Sequence, residues 1–549
     1  MLLREDATTQ KLRGAYYTPE KLAEFIVKQF EKDIKSGNIK TILEPSCGDG
    51  VFLDELSKNR YIHNVDLILG VEIEKEEAKK AKNKAIENIK IVNDDFISLY
   101  DKELKNKKYD LIIGNPPYIR YQYLTDEQRS VQSDILVHNG MKSNKLINAW
   151  VCFLVAAVEL LNENGNIAFV IPAEILQVAY AEDLRLFLSN MLEKIIIITF
   201  QELIFQNIEQ EVVVLIGKKN SKRALKSSKI SIKQLKNLDC LDSTKLKKVQ
   251  YQSIEHTKGK WTKYFVEDIH ASLIEKIKED NRFTTLGRMG KVNVGITTGN
   301  NDYFSVTKDV VKQYSLQDVV IPLIGRSSHA HGIYFTYEDW QINVNSGKNA
   351  YLISFPENIQ YENYPQKHKE YIRKGEDDKA NTGYKCRIRK RWYIVPSIWV
   401  PDAFLLRRNN AFPKFVLNNI NAVSTDTMHR IKFNEGINRD KVLLSYYNSI
   451  SFAFTEINGR SYGGGVLEIL PGEASNIVLP DLSEFSLEET KRLLLLIDNT
   501  IRNNLSIDAL LDEVDKIVLI DFLGISEEIC REFRNIWKIL MNRRHIRAK

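Results

Sequence analysis

Short apolar runs, each closed by a glycine, an acid or an asparagine, recur through the N-terminal part of the chain and alternate with helical patterns. Thr41-Ile42-Leu43-Glu44, Leu67 to Ile73, Ile91-Val92 and Leu111-Ile112-Ile113 read as buried parallel strands, too short and too apolar for surface elements. Ahead of them, Leu22, Phe25, Ile26 and Phe30 recur at helical spacing. Thr18 before Pro19 predicts an N-cap hydroxyl with proline at the first helical position. The polar stretch from Tyr118 to about Lys145 predicts a loop. An apolar helix over Ala149 to Leu161 follows, then an Asn164-Gly165 turn. Ile167 to Pro172, Ile195 to Ile198 and Val212 to Ile216 are further buried-strand runs. Lys218 to Lys248, rich in Lys and Ser, predicts an exposed connector.

The second half loses this strand–helix rhythm. Lys291 to Asn301 alternates and then turns. From Ser486 the pattern is helical to the end, opened by the capping-box spacing of Ser486 and Glu489. The expected division is residues 1–250, 251–485 and 486–549.

Composition sets bounds on this picture. At 549 residues, 43% hydrophobic and 27% charged, the chain is ordinary for a soluble globular protein of two or three domains. A net charge of +6 permits a polyanionic partner, and the distribution of charge decides. No apolar run approaches membrane-spanning length and no signal-peptide core opens the chain, so no membrane is expected. Five scattered cysteines without CxxC spacing suit a reducing cytoplasm. His329-Ala330-His331 lacks further ligand residues, and no metal is expected.

The chemistry sits at the strand ends, where open α/β sheets hold ligands. Glu44-Pro45-Ser46-Cys47-Gly48-Asp49-Gly50 is a glycine turn into a helix, with Leu53 where a dinucleotide fingerprint has its third glycine. Glu44 and Asp49 would repel a pyrophosphate and suit a ligand carrying an ammonium and a sulfonium, as S-adenosylmethionine does. Glu72 at the next strand end can accept from ribose hydroxyls, Asp95 can accept from an adenine amine, and Phe96 can cover its ring. Asn115-Pro116-Pro117-Tyr118 is a stiff turn, because two prolines fix φ and cannot join a ladder. It can aim the Asn115 amide oxygen and the Pro116 carbonyl at one exocyclic amine, whose lone pair is otherwise delocalised. Tyr118 offers a face for a planar base. For Phe205, outside the strands, core packing is the default reading.

In this order, Tyr-x-Thr-Pro, Glu-Pro-Ser-Cys-Gly-Asp-Gly, Val-Glu-Ile, Asp-Asp-Phe and Asn-Pro-Pro-Tyr resemble the gamma-class, TaqI-like adenine-N6 DNA methyltransferases over about residues 14–217. The resemblance implies an α/β fold: a Rossmann-like class I S-adenosylmethionine-dependent core, a separate mixed α+β target-recognition domain and a helical C-terminus. It implies that Thr18, Glu44, Ser46, Gly48, Gly50, Glu72, Asp95, Phe96 and Asn115 line the cofactor site. Asn115, Pro116 and Tyr118 would hold the target adenine, with Phe205 as a second aromatic wall, although Phe205-Gln206-Asn207 departs from the Phe-Pro-Gln of the TaqI enzyme. The expected substrate is double-stranded DNA with the base flipped out. A cognate restriction endonuclease is the expected partner, and a monomer in the bacterial cytoplasm, associated with the nucleoid, is the expected state.

Lys385, Arg387, Arg389, Lys390 and Arg391 put five cations into seven residues just before Trp392, a candidate phosphate-contacting stripe. Arg460 to Gly465 is a second candidate loop. Cytosine-C5 chemistry is disfavoured, since no Pro-Cys dipeptide occurs. RNA adenine-N6 methylation and protein glutamine-N5 methylation remain as alternatives, because both nitrogens are delocalised in the same way. A fused nuclease is also weighed on Pro480-Asp481 and Glu489-Thr490-Lys491, but the cap at Ser486 gives Glu489 a structural task.

Overall fold

The apolar runs of the N-terminal part pair with one another because each, buried on both faces, needs neighbours for its backbone groups. In the computed structural model the described residues are 16–142, 147–205, 211–220, 228–241, 246, 249–254, 259–265, 268–461 and 465–546. They fall into two units, Met1–Asp268 and Ile269–Ala548.

The first unit is built on a nine-stranded sheet. Its strands are β1 (Thr41–Glu44), β2 (Leu67–Val71), β3 (Ile89–Val92), β4 (Tyr109–Gly114), β5 (Leu161–Pro172), β6 (Leu192–Phe200), β7 (Val212–Lys219), β8 (Lys229–Leu235) and β9 (Gln252–Ser253). The order is β3-β2-β1-β4-β5-β7-β6-β8-β9. β3, β2, β1, β4 and β5 run parallel, and β7 lies antiparallel between β5 and β6. Strand order reverses between β1 and β4, which opens a crevice at their carboxyl ends. Around the sheet lie α1 (Glu20–Gln29), α2 (Val51–Ser57), α3 (Lys75–Asn83), α4 (Phe96–Leu99), α5 (Asp126–His138) and α6 (Ala149–Glu159). Helix α6 is buried from Ala149 through Val158, as an all-apolar helix must be.

Three local expectations are corrected. Pro19 is the N-cap of α1, and Thr18 makes no capping bond, because proline's fixed φ serves in the cap position with ψ extended. The stretch after Tyr118 is not all loop: Thr125 and Gln128 form a reciprocal capping box that starts α5, and Ile135 and Leu136 bury its inner face. The Lys- and Ser-rich connector contains β8, whose Ile230 is fully buried while Lys229 faces solvent. Ser231 is buried beside Ile230, and Ile232 packs half-buried against the core, so pairing with β6 outweighs the polar composition there.

The second unit is a mixture of small sheets and helices. One five-stranded sheet runs Gly290–Val294, Met428–Phe433, Ala403–Leu406, Phe415–Asn418, Tyr334–Phe335. A four-stranded one runs Ser305–Val306, Tyr351–Ile353, Val320–Ile324, Val423–Ser424. The unit also holds the short helix α7 (Tyr384–Arg387) and the terminal helices α8 (Leu487–Arg502), α9 (Ile507–Val514) and α10 (Glu527–Ile546). Ser486 Oγ accepts from the Glu489 amide at 3.3 Å, so α8 starts where the cap spacing predicts.

Candidate active site

Four strand ends, those of β1, β2, β3 and β4, converge at the crevice. Glu44 closes β1 with 1% of its surface exposed, and its Oε2 has no hydrogen-bond partner. The chain then turns through Gly48 and Gly50 into α2. Gly50 has φ +84°, and a Cβ there would lie 3.1 Å from the Ala81 Cα, so only glycine lets the loop pass this close to α3. Glu72, just past β2, braces the same loop: its Oε2 accepts from Gly48 N and its Oε1 from Glu74 N, both at 2.8 Å. Ser46 Oγ donates to the Asn115 carbonyl at 3.1 Å and so ties the loop after β1 to the turn after β4. Asp95 caps α4, accepting from Ile97 N at 3.4 Å, and Phe96 is buried 5.1 Å from Phe153.

A cavity of about 740 Å³ opens between these ends, lined by Thr18, Glu44, Ser46, Gly48, Glu72, Asp95, Phe96 and Asn115. Asp49, Glu74, Glu77, Asp94, Asp101 and Glu127 also border it, with Lys102 as the one cation among its described lining residues. Burial, then Glu72 and Asp49, push the Glu44 carboxyl well above its usual range. Burial likewise raises Glu72 against the pull of its two amide donors, and raises Asp95. So dense an acidic lining favours a cationic ligand and disfavours a polyanion inside the cavity.

Asn115 carries the second feature. Its Nδ2 donates to the Tyr16 carbonyl at 2.7 Å, which leaves its Oδ1 buried and without a partner. Tyr118 is 7% exposed and its hydroxyl donates to the Val170 carbonyl at 3.0 Å. The Tyr16 ring lies 5.2 Å from the Tyr118 ring and 5.9 Å from the Phe205 ring. Gly50, Pro116, Tyr118 and Phe205 do not border the cavity, whereas Tyr16 does. Gln206 and Asn207 lie outside the described residues.

Sequence reasoning missed one side of this cavity. Tyr123 and Leu124 before α5, with Gln128, Val131 and Gln132 from it, complete the lining. The Thr125 and Gln128 capping pair was the available signal for a helix there. In the second unit the basic run divides. Lys385, Arg387 and Lys390 are exposed. Arg389 instead donates to the carbonyls of Thr297 at 3.0 Å and Trp392 at 3.3 Å, and Arg391 to those of Ile359 at 2.6 Å and Glu357. These two guanidiniums hold loops in place. In the Arg460 to Gly465 loop, Tyr462 to Gly464 lie outside the described residues.

Residues 28–205 match the Eco57I restriction-modification methylase family, and residues 258–519 match the C-terminal domain of the type II methyltransferase M.Eco57I. Over these two stretches the chain is similar to the Eco57I-type restriction-modification methyltransferases. It is 25% identical over 528 residues to the type II methyltransferase M.AccI of Acinetobacter calcoaceticus, covering 93% of each chain. To M.HincII of Haemophilus influenzae it is 30% identical over 203 residues, 37% of this chain and 36% of that one. Among solved structures, the type IIL restriction-modification enzyme MmeI, in complex with DNA, superposes with a TM-score of 0.59 at 14% identity, covering 98% of this chain and 80% of that one. The DrdV–DNA complex gives 0.53 at 12% identity, covering 89% and 58%. The likenesses to these structures show a fold shared with a restriction-modification enzyme.

Proposed function

We propose that this chain transfers the methyl group of S-adenosylmethionine to N6 of an adenine flipped out of double-stranded DNA. The observation that carries the reading is the Asn115 amide: turned by Tyr16, its Oδ1 is buried without a partner at the edge of an acidic cavity. The residues present suit the cofactor. The unpartnered Glu44 carboxyl matches an ammonium, the Glu72 carboxyl stands at the strand end where ribose is held, and Phe96 covers one wall. When bound, S-adenosylmethionine supplies a methyl group activated by its sulfonium.

The chain's own residues act on the acceptor. Asn115 Oδ1 and the Pro116 carbonyl accept from the two N–H groups of the adenine amine, which localises its lone pair for attack. Tyr118 and Phe205 give the extruded base faces to stack on, offsetting a flipping cost of a few kcal/mol. The second unit reads the target, with Lys385, Arg387 and Lys390 on the phosphates. The chain's place is the modification half of a restriction-modification or similar defence system, which suggests a cognate endonuclease as partner.

The test is incubation of the purified chain with labelled S-adenosylmethionine and, separately, duplex DNA and RNA, followed by mass spectrometry of the nucleosides. The reading predicts N6-methyladenine from DNA, formed about 10²–10³-fold more slowly by the Asn115→Ala variant. Label in RNA alone, or in no nucleic acid, would overturn it.

A further inference from the structure

We propose that the Tyr16 ring occupies the place of the target base in the DNA-free protein, and that it must swing out before a base can enter. The proposal rests on the reading of Asn115, Tyr118 and Phe205 as the base site, and goes beyond it.

Two observations point to this arrangement. The Tyr16 ring contacts both proposed walls at once, 5.2 Å from Tyr118 at 46° and 5.9 Å from Phe205 at 33°. Both distances fall within the range of aromatic pairs. Tyr118 and Phe205 are only 7% and 5% exposed, so neither ring has surface left on which a base could stack. Independently, the same residue engages the acceptor amide, because the Tyr16 carbonyl takes the Asn115 Nδ2 proton at 2.7 Å. That bond leaves Oδ1 aimed without a partner, a state that an incoming amine donor relieves.

The two halves of Tyr16 do different work. The backbone carbonyl can keep the Asn115 amide turned throughout, whereas the ring can move by a change of χ1 rotamer without disturbing it. Flipping then becomes an exchange of one stack for another: the base gains Tyr118 as the phenol loses it. A base must compete with the phenol, so entry is favoured only when the surrounding duplex, bound by the protein, helps drive it. Such competition costs affinity for DNA and shields an apolar slot between turnovers.

The full-length protein carrying 3-fluorotyrosine at position 16 tests this by ¹⁹F NMR with S-adenosylhomocysteine present. Two duplexes are compared, one containing the sequence the chain methylates and one with that sequence scrambled. The proposal predicts that the resonance shifts with the first duplex and stays put with the second. A resonance unmoved by a saturating amount of the first duplex would overturn it. In a second measurement, Tyr16→Ala should bind the first duplex about ten-fold more tightly, the scale of one base–aromatic stack, and Tyr16→Phe should bind like the parent. Equal or weaker binding by a Tyr16→Ala variant that still binds S-adenosylhomocysteine normally would also overturn it, since a ring with only a structural role cannot compete with the base. Absence of methyl transfer into DNA by the unlabelled chain is a separate result, which would overturn the reading of the site and this proposal together.

Discussion

A buried acceptor without a partner costs about 1–3 kcal/mol, and Asn115 Oδ1 and Glu44 Oε2 are two such atoms on one crevice. At the edge of a cavity, such a group is one that a ligand can complete. Asn115→Ala should therefore lower the transfer rate by about 10²–10³-fold, the scale of one oxyanion-type interaction, and leave cofactor affinity nearly unchanged in a calorimetric titration. Glu44 makes a pH prediction. Its folded-state carboxyl is raised by burial and by Glu72 and Asp49, so it keeps its proton above the ordinary glutamate range. The stability this protonated group contributes is present at low pH and is lost as pH rises through its raised pKa. A bound ammonium prefers the ionised form, so cofactor affinity should climb across that same window. Glu44→Gln should bind more weakly and with a flatter pH profile. A parent protein whose affinity does not change with pH would contradict the role given to Glu44.

Elements differ in how plainly the sequence announces them. β1, β2 and β4 were legible because apolar runs end at Glu44, Glu72 and Asn115, which mark the strand boundaries and line the cavity. Helix α5 was not, because its polar residues hide a stripe in which Gln132 is buried alongside Ile135 and Leu136. β8 was hidden in the same way by its lysines and serine. The short strands of the second unit carry too little pattern to be paired from sequence, since their partners lie far along the chain. Thr125→Ala tests what α5 contributes. Losing the cap should cost about 1 kcal/mol of stability and, because α5 lines the cavity, should raise the KM for the cofactor more than it lowers kcat.

At the scale of the whole molecule, each unit carries one conspicuous cluster of charge. Carboxylates border the cavity of the first unit, and exposed cations mark one segment of the second. Sequence could count the cations of that segment but could not tell which would be used up on carbonyls, as Arg389 and Arg391 are. Replacing Lys385, Arg387 and Lys390 together by Gln should weaken DNA binding across all sequences and flatten its salt dependence by about one unit of slope for each phosphate left without its cation. Arg391→Gln should instead lower the melting temperature, because the Ile359 and Glu357 carbonyls lose their donor. An unchanged salt slope in the triple variant would make those three cations a merely solvated face. The central claim, adenine methylation directed by Asn115, is met most directly by mapping methylated bases at single-base resolution in the DNA of cells that express this chain alone. The prediction is N6-methyladenine at the copies of one short sequence, and a far smaller modified fraction when Asn115→Ala is expressed at the same level. A well-expressed, folded parent chain that leaves every adenine unmodified would contradict it.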